Sequence, residues 1–348
     1  MFEANFNTIK IFILTTISFV VTILWTPLLT HYLYKYKLGK KIRGEENAPI
    51  YSKIHAVKSG TPTMGGLLIW LTTLFLIFFF WFLAKMMNIE FIDKLNFLSR
   101  PQTFLPLASL VAAAVIGLAD DIIDIRSKNG RGGLRVRERL IIFTLIAIVG
   151  ALWFYFKLDW TTIHVPFVGN FDIGAWYIPI FIFIIVSTAF SVNEADGLDG
   201  LAGGILLASF VAFGAIALAQ GRVELATFCG VIAGSLFAFL WFNIPPARFF
   251  MGDTGSMSLG VTLGIVAMLT NTALLLPIIS FLLVVESVSV ILQVLSKKIR
   301  GKKIFLSSPI HHHLEATGWP ESKIVMRFWI ISAVTAVVGV VLFLIDKG

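Results

Sequence analysis

GGLLIWLTTLFLIFFFWFLA, residues 65–84, runs for twenty residues without a charge or a proline. At about 1.5 Å per residue, a helix of that length covers about 30 Å, the thickness of a bilayer's hydrocarbon core. The run therefore reads as a membrane span. Nine further apolar stretches lie near 9–30, 104–119, 140–157, 176–192, 201–219, 225–242, 256–271, 274–295 and 324–345. Composition agrees: 57% of the 348 residues are hydrophobic, only 14% are charged, and mean hydropathy is +0.88. A soluble domain carries about 25% charge. Backbone groups in lipid must bond internally, and no alternating ten-residue pattern points to a barrel. The expected fold is all-α and integral to the membrane, with ten transmembrane helices in a single polytopic unit over residues 1–348.

Basic residues set the expected orientation. The loops after spans one, three, five, seven and nine, together with Arg327 at the entry to span ten, hold 21 of the 28 Lys and Arg. That asymmetry predicts that these loops are cytoplasmic and both termini extracytoplasmic. The +8 net charge fits loops lying against anionic lipid, and its placement between apolar runs argues against nucleic acid. The start, Met1-Phe2-Glu3, lacks a basic leader and an A-x-A site, so the first apolar stretch reads as a span, not a removed signal. Cys229 is the single cysteine, which excludes an intramolecular disulfide, and its place inside an apolar run suits a packing residue.

The polar exceptions to the apolar pattern gather in the same five loops. The first holds His55, Lys58 and Gly60-Thr61-Pro62-Thr63-Met64-Gly65-Gly66, and the second begins at Asp120-Asp121 and includes Asp124. The third reads Asn193-Glu194-Ala195-Asp196-Gly197-Leu198-Asp199-Gly200. The fourth runs from Asn243 through Phe250-Met251-Gly252-Asp253-Thr254-Gly255-Ser256, and the fifth carries Pro309-Ile310-His311-His312-His313. Successive members of this set are two crossings apart, so all five face one side and can meet at one cytoplasmic site.

Several carboxylates in one place need a compensating cation. Asp120 and Asp121 end a span, Asp196 and Asp199 share a face if a helix starts there, and Asp253 lies between glycines. Hard oxygen donors suit Mg²⁺, whose shell substrate phosphates often complete. Three consecutive histidines cannot all point one way, and their setting near Lys297, Lys298, Arg300, Lys302 and Lys303 favours an anion site over a transition metal. Glu286 is the one acid inside a span, on a stripe with Ser289 and Gln293; it reads equally as a functional group or a bonded structural one.

Taken together, Lys58–Gly66, Asp-Asp, Asp-Gly-Leu-Asp-Gly-Leu-Ala, Phe-Met-Gly-Asp-Thr-Gly-Ser and Pro-Ile-His-His-His occur in an order that closely resembles the phospho-N-acetylmuramoyl-pentapeptide transferases. The resemblance covers nearly the whole chain. It implies transfer of phospho-MurNAc-pentapeptide from UDP-MurNAc-pentapeptide to undecaprenyl phosphate, giving lipid I and UMP with Mg²⁺, at the bacterial inner membrane and as a homodimer. By the same resemblance Asp253 is the leading Mg²⁺ ligand, supported by Asn193 and Asp196. Asp120 and Asp121 act beside it on the lipid phosphate, with direct attack favoured over a covalent aspartyl intermediate. Gly197, Leu198, Asp199 and Phe250 match positions that hold the uracil, Phe250 by stacking. His311, His312 and His313 contact phosphate or order the site, and Lys58, Thr63 and Asn243 serve nucleotide or phosphate.

Three departures from the family pattern stand out. Asp124 replaces a usual basic residue, whose contact Arg126 or Lys128 would have to supply; Phe190 replaces an Asn, and Glu194-Ala195 a Leu-Thr pair. The near alternative is a related transferase of N-acetylhexosamine phosphate to a polyprenyl phosphate. An ion-coupled transporter would carry charges at the bilayer midplane, where Glu286 is almost alone. The prenyl tail requires a groove, for which the ninth span is favoured.

Overall fold

The computed structural model describes residues 2–39, 58–87, 89–127 and 133–348; His55 and Lys128 lie outside these. In chain order the helices are α1 (Phe2–Lys35), α2 (Leu67–Met87), α3 (Glu90–Leu95), α4 (Phe104–Arg126), α5 (Val136–Leu152), α6 (Tyr177–Ala195), α7 (Leu201–Ala219), α8 (Val223–Asn243), α9 (Asp253–Leu269), α10 (Leu276–Ile279), α11 (Phe281–Arg300), α12 (Ile310–Ala316) and α13 (Glu321–Lys347). Among the described residues, α1, α2, α4 to α8 and α13 are each long and apolar enough to cross a membrane, α5 and α6 with the short turns that extend them. The pair α10–α11 is a ninth candidate, bent by 84°. The chain is a multi-pass membrane protein.

Each of the ten apolar stretches falls on helix, but two differ from a straight span. The stretch at 274–295 breaks at Ser280, just after the short α10 that begins Leu276-Pro277, and the Ser280 hydroxyl lies 2.8 Å from that of Ser209 on α7. Beyond the bend, α11 buries Glu286, Ser289 and Gln293 and exposes Val288, Ile291, Leu292, Leu295 and Ile299. The Gln293 side-chain oxygen Oε1 accepts the N–H groups of Ile304 and Phe305, so the polar stripe is covered by the segment that follows. Hydropathy averages over such a helix and misses its two faces.

The stretch at 256–271 belongs to α9, which has 17 residues and is buried along its whole length. About 25 Å of helix suffices because protein surrounds it. Its neighbours α4 and α6 come close through small residues. A Cβ on Gly117 of α4 would lie 2.3 Å from the Asp253 carbonyl oxygen, so only glycine admits this crossing. The contact brings the end of α4, with Asp120 and Asp121, to the start of α9.

Among the described residues, one hairpin interrupts the all-helical pattern. β1 (Thr162–Val165) pairs antiparallel with β2 (Gly169–Asp172), Thr162 opposite Asp172 and Val165 opposite Gly169. Its β-branched Thr162, Ile163 and Val165 favour extended backbone. At the opposite end of the bundle, Phe250 N–H donates to the Pro62 carbonyl, while Gly65 and Gly66 donate to those of Phe250 and Met251, all at 2.8 Å. Two segments nearly 190 positions apart are thereby fixed against each other.

Candidate active site

The site is organised around the first turn of α9. Helix starts leave backbone N–H groups without intrahelical partners. Here the Asp121 carboxylate accepts them from Asp253 at 3.1 Å and Thr254 at 3.0 Å, and it also accepts the Thr63 hydroxyl at 3.3 Å. Asp121 therefore works as a cap, which leaves the Asp253 side chain pointing away from the helix start.

That side chain meets two others around one cation. The Arg139 guanidinium, in the first turn of α5, donates to Asp120 Oδ2 at 3.0 Å through Nε, to Asn193 Oδ1 at 2.8 Å and to Asp253 Oδ2 at 2.8 Å. Asn193, near the end of α6, donates its amide to Asp253 Oδ1 at 2.7 Å and to the Ser256 hydroxyl at 3.1 Å. Asp120 is fully buried and Asp253 nearly so. Two carboxylate oxygens and an amide oxygen thus converge on one positively charged point. Asp196 caps the C-terminus of α6 one turn past Asn193 and is half-buried.

A second cluster ties the third loop to the start of α13. Lys58 Nζ donates to Asp199 Oδ1 at 2.7 Å and to Glu321 Oε1 at 2.5 Å, and Glu321 also accepts the Asp199 N–H at 2.8 Å. Burial works against the charge on Lys58, but its bonds to Asp199 and Glu321 outweigh that and hold it above the usual lysine range. The other Asp199 oxygen accepts the Ala247 N–H at 3.1 Å. Asn243 takes the Gly200 N–H at 2.8 Å and donates to the Phe249 carbonyl at 2.8 Å, so both ends of its amide brace the loops. Leu198 is buried and Phe250 half-buried.

The three histidines divide. His311 and Glu286 are both fully buried, with Nδ1 and Oε2 2.9 Å apart. Burial opposes a charged His311, yet the Glu286 carboxylate, with Glu315 and Glu194 farther off, raises it above the usual histidine range. The ring lies against the third loop, where a Cβ on Gly197 would sit 2.2 Å from Nε2. His312 turns its Nδ1 to Glu315 at 2.7 Å, and His313 accepts the Leu306 N–H at 3.2 Å with its ring edge on Phe305.

Predicted residues from each of the five loops therefore meet at one end of the bundle, while His313 turns to Leu306 and Phe305 instead. Asp120, Asn193 and Asp253 form the central group, Asp121 and Thr63 support it, and Lys58, Asp199, Asn243, Gly197 and His311 frame the third loop. Arg139 and Glu321 were not foreseen. Arg139 is one of six basic residues in its loop and reads as a topology signal, while Glu321 opens a helix and reads as an ordinary first-turn acid. Chemically, the arrangement can gather anions beside a cation in a largely buried setting, which suits phosphoryl transfer better than hydrolysis by a nucleophilic triad.

Comparison with known sequences agrees. The sequence model of Glycosyl transferase family 4 matches residues 103–271, and the phospho-N-acetylmuramoyl-pentapeptide-transferase signature 1 matches residues 58–69. Among curated relatives, the phospho-N-acetylmuramoyl-pentapeptide-transferase of Caldanaerobacter subterraneus subsp. tengcongensis is 40% identical over 95% of this chain and 98% of its own length. Those of Clostridium novyi, at 38% over 93% and 94%, and Chloroflexus aggregans, at 37% over 96% and 89%, carry the same name. With that identity sustained over nearly the full length, the chain belongs to the phospho-N-acetylmuramoyl-pentapeptide-transferase family.

Proposed function

We propose that this protein transfers phospho-MurNAc-pentapeptide from UDP-MurNAc-pentapeptide to undecaprenyl phosphate, releasing UMP and forming lipid I for peptidoglycan. Membership of the family supports the reaction. The observation that carries it onto this chain is the convergence of Asp120, Asn193 and Asp253, from three helices, on a single cationic point. One phosphoanhydride replaces another, so the task is to bring two anions together and stabilise phosphoryl charge.

The donor set fits a hard divalent ion. Mg²⁺ would be held by Asp253 and Asn193 with Asp120, and with Asp196 one turn away; when bound, it supplies charge neutralisation for the diphosphate. Asp120 orients the lipid phosphate, whose second pKa near 6 leaves it largely ionised, so a strong base is not required. Asp121 sets the position of Asp253. Gly197, Leu198, Asp199 and Phe250 form the wall for the uracil. Lys58, Thr63 and Asn243 hold the nucleotide's surroundings in place, and the histidines order the phosphate side.

In this reading the chain is one polytopic domain over residues 1–348, crosses the bacterial inner membrane ten times with both termini outside, and works as a homodimer. The buried α9 and the bent α10–α11 pair complete the ten, and the apolar outer face of α11 borders the prenyl tail. The test is UMP release by the purified protein from UDP-MurNAc-pentapeptide or UDP-GlcNAc, with undecaprenyl phosphate, in Mg²⁺ or EDTA. Turnover of the muramoyl donor alone, abolished by EDTA, is expected. Turnover of UDP-GlcNAc alone would overturn the substrate assignment, and full activity in EDTA would overturn the metal.

A further inference from the structure

Arg139 contacts the same oxygens that the proposed metal would need. Its guanidinium reaches Asp253 Oδ2 at 2.8 Å, Asn193 Oδ1 at 2.8 Å and Asp120 Oδ2 at 2.9 to 3.0 Å. A divalent cation takes carboxylate oxygens at about 2.0 to 2.6 Å. Two cations cannot sit on one side of these three oxygens together. Nor can the place stay empty: Asp120 is fully buried and Asp253 is 7% exposed, and their Oδ2 atoms both lie within 2.9 Å of one guanidinium nitrogen. Buried carboxylates that close repel strongly unless a positive charge stands between them.

We propose that Arg139 is an exchangeable counter-cation: its guanidinium holds the Asp120–Asn193–Asp253 seat in the metal-free protein and leaves those oxygens when a divalent cation takes them. Arg139 has the means to do so. It sits in the first turn of α5 on a long side chain that is 22% exposed, so it reaches the seat from the mouth of the site. Displaced to that mouth, the guanidinium faces the region where a diphosphate must arrive, and its fork suits two phosphate oxygens. Metal uptake and the release of Arg139 toward the donor are then one event. Bare metal binding is weakened by the competition, and the acid cluster is never left unpaired.

The inference rests on the proposed metal site, and the test separates the two. Mn²⁺ uptake by the purified full-length protein is measured from the loss of the free Mn²⁺ electron paramagnetic resonance signal, for wild type, R139Q and R139K. Thermal midpoints are recorded with and without Mn²⁺. Expected are at least fivefold tighter Mn²⁺ binding by R139Q, a metal-free midpoint below that of wild type, and recovery of the difference when Mn²⁺ is added. R139K keeps a point charge but loses the fork, and is expected to bind with intermediate affinity. Should R139Q not be recovered from membranes, tighter binding by R139K supports the proposal and equal or weaker binding overturns it. Mn²⁺ binding by wild type with no gain in R139Q overturns the counter-cation role alone. No Mn²⁺ binding by any of the three overturns the metal site and the inference with it.

Discussion

Asp121 accepts the backbone N–H of Asp253 at 3.1 Å, and its second oxygen accepts that of Thr254 at 3.0 Å. Its neighbour Asp120 turns instead to Arg139. Adjacent residues on a helix point about 100° apart, and here the two carboxylates take different hydrogen-bond partners. One faces the cation; the other fixes the helix that carries Asp253.

Asp121→Ala leaves two buried N–H groups without an acceptor, a loss of about 1–3 kcal/mol for each. A lower thermal midpoint is expected together with a large fall in turnover, because Asp253 loses its positioning. Asp121→Asn keeps one acceptor oxygen and should recover part of the midpoint. An Asp121→Ala protein as stable as wild type would show that the cap carries no weight.

Gly197→Ala puts a methyl group 2.2 Å from His311 Nε2 and 3.2 Å from His312 Nε2. Either the third loop or the histidine helix must shift, and both belong to the site. Turnover should fall at least tenfold while the protein still inserts and elutes as a single species in detergent. Double substitution with His311→Ala removes the obstacle, so its loss should be less than the product of the two single losses. Independent, multiplicative losses would mean that the ring does not press on Gly197.

Much of this site was readable in the sequence because membrane composition makes polar residues conspicuous. Asp120, Asn193 and Asp253 stood out against apolar runs, and loop parity placed them on one side. The division between Asp120 and Asp121 was not readable, since it depends on how α4 is rotated against α9. Arg139 was hidden among neighbours that report topology, although it is the residue on which the acids converge. The break at Ser280 was missed because one serine barely changes a hydropathy window. Burial of all of α9 was invisible for a related reason: residues apolar toward lipid and toward protein look alike.

Glu286 and His311 form a pair with neither side chain exposed. Replacing Glu286 by Ala strands a buried imidazole that its partner holds above the usual histidine range, and breaking such a pair costs about 3–5 kcal/mol. Glu286→Gln keeps an acceptor for Nδ1–H at nearly the same volume, so folding should be largely restored. If the carboxylate's charge also matters, turnover by Glu286→Gln stays depressed although its midpoint recovers. Recovery of both would confine Glu286 to orienting the ring.

The hairpin gives a pH dependence at the other end of the molecule. His164 contacts Asp346 near the end of α13 through Nε2 and Asn170 through Nδ1, the latter at 2.9 Å. Burial opposes its charge, but the bonds to Asp346 and Asn170 outweigh that and raise it from 6.5. A raised folded-state value means that protonation favours the folded form. The stabilisation is fully present below about 6.5 and is lost as pH climbs through the raised value. His164→Gln can keep a hydrogen bond but does not titrate across this range. The wild-type midpoint should therefore exceed that of His164→Gln most at pH 5.5 to 6, with the gap closing toward pH 9. A gap that stays constant would mean that the Asp346 contact holds the hairpin by hydrogen bonding alone; one that widens with pH would reverse the sign and rule out the charged pair.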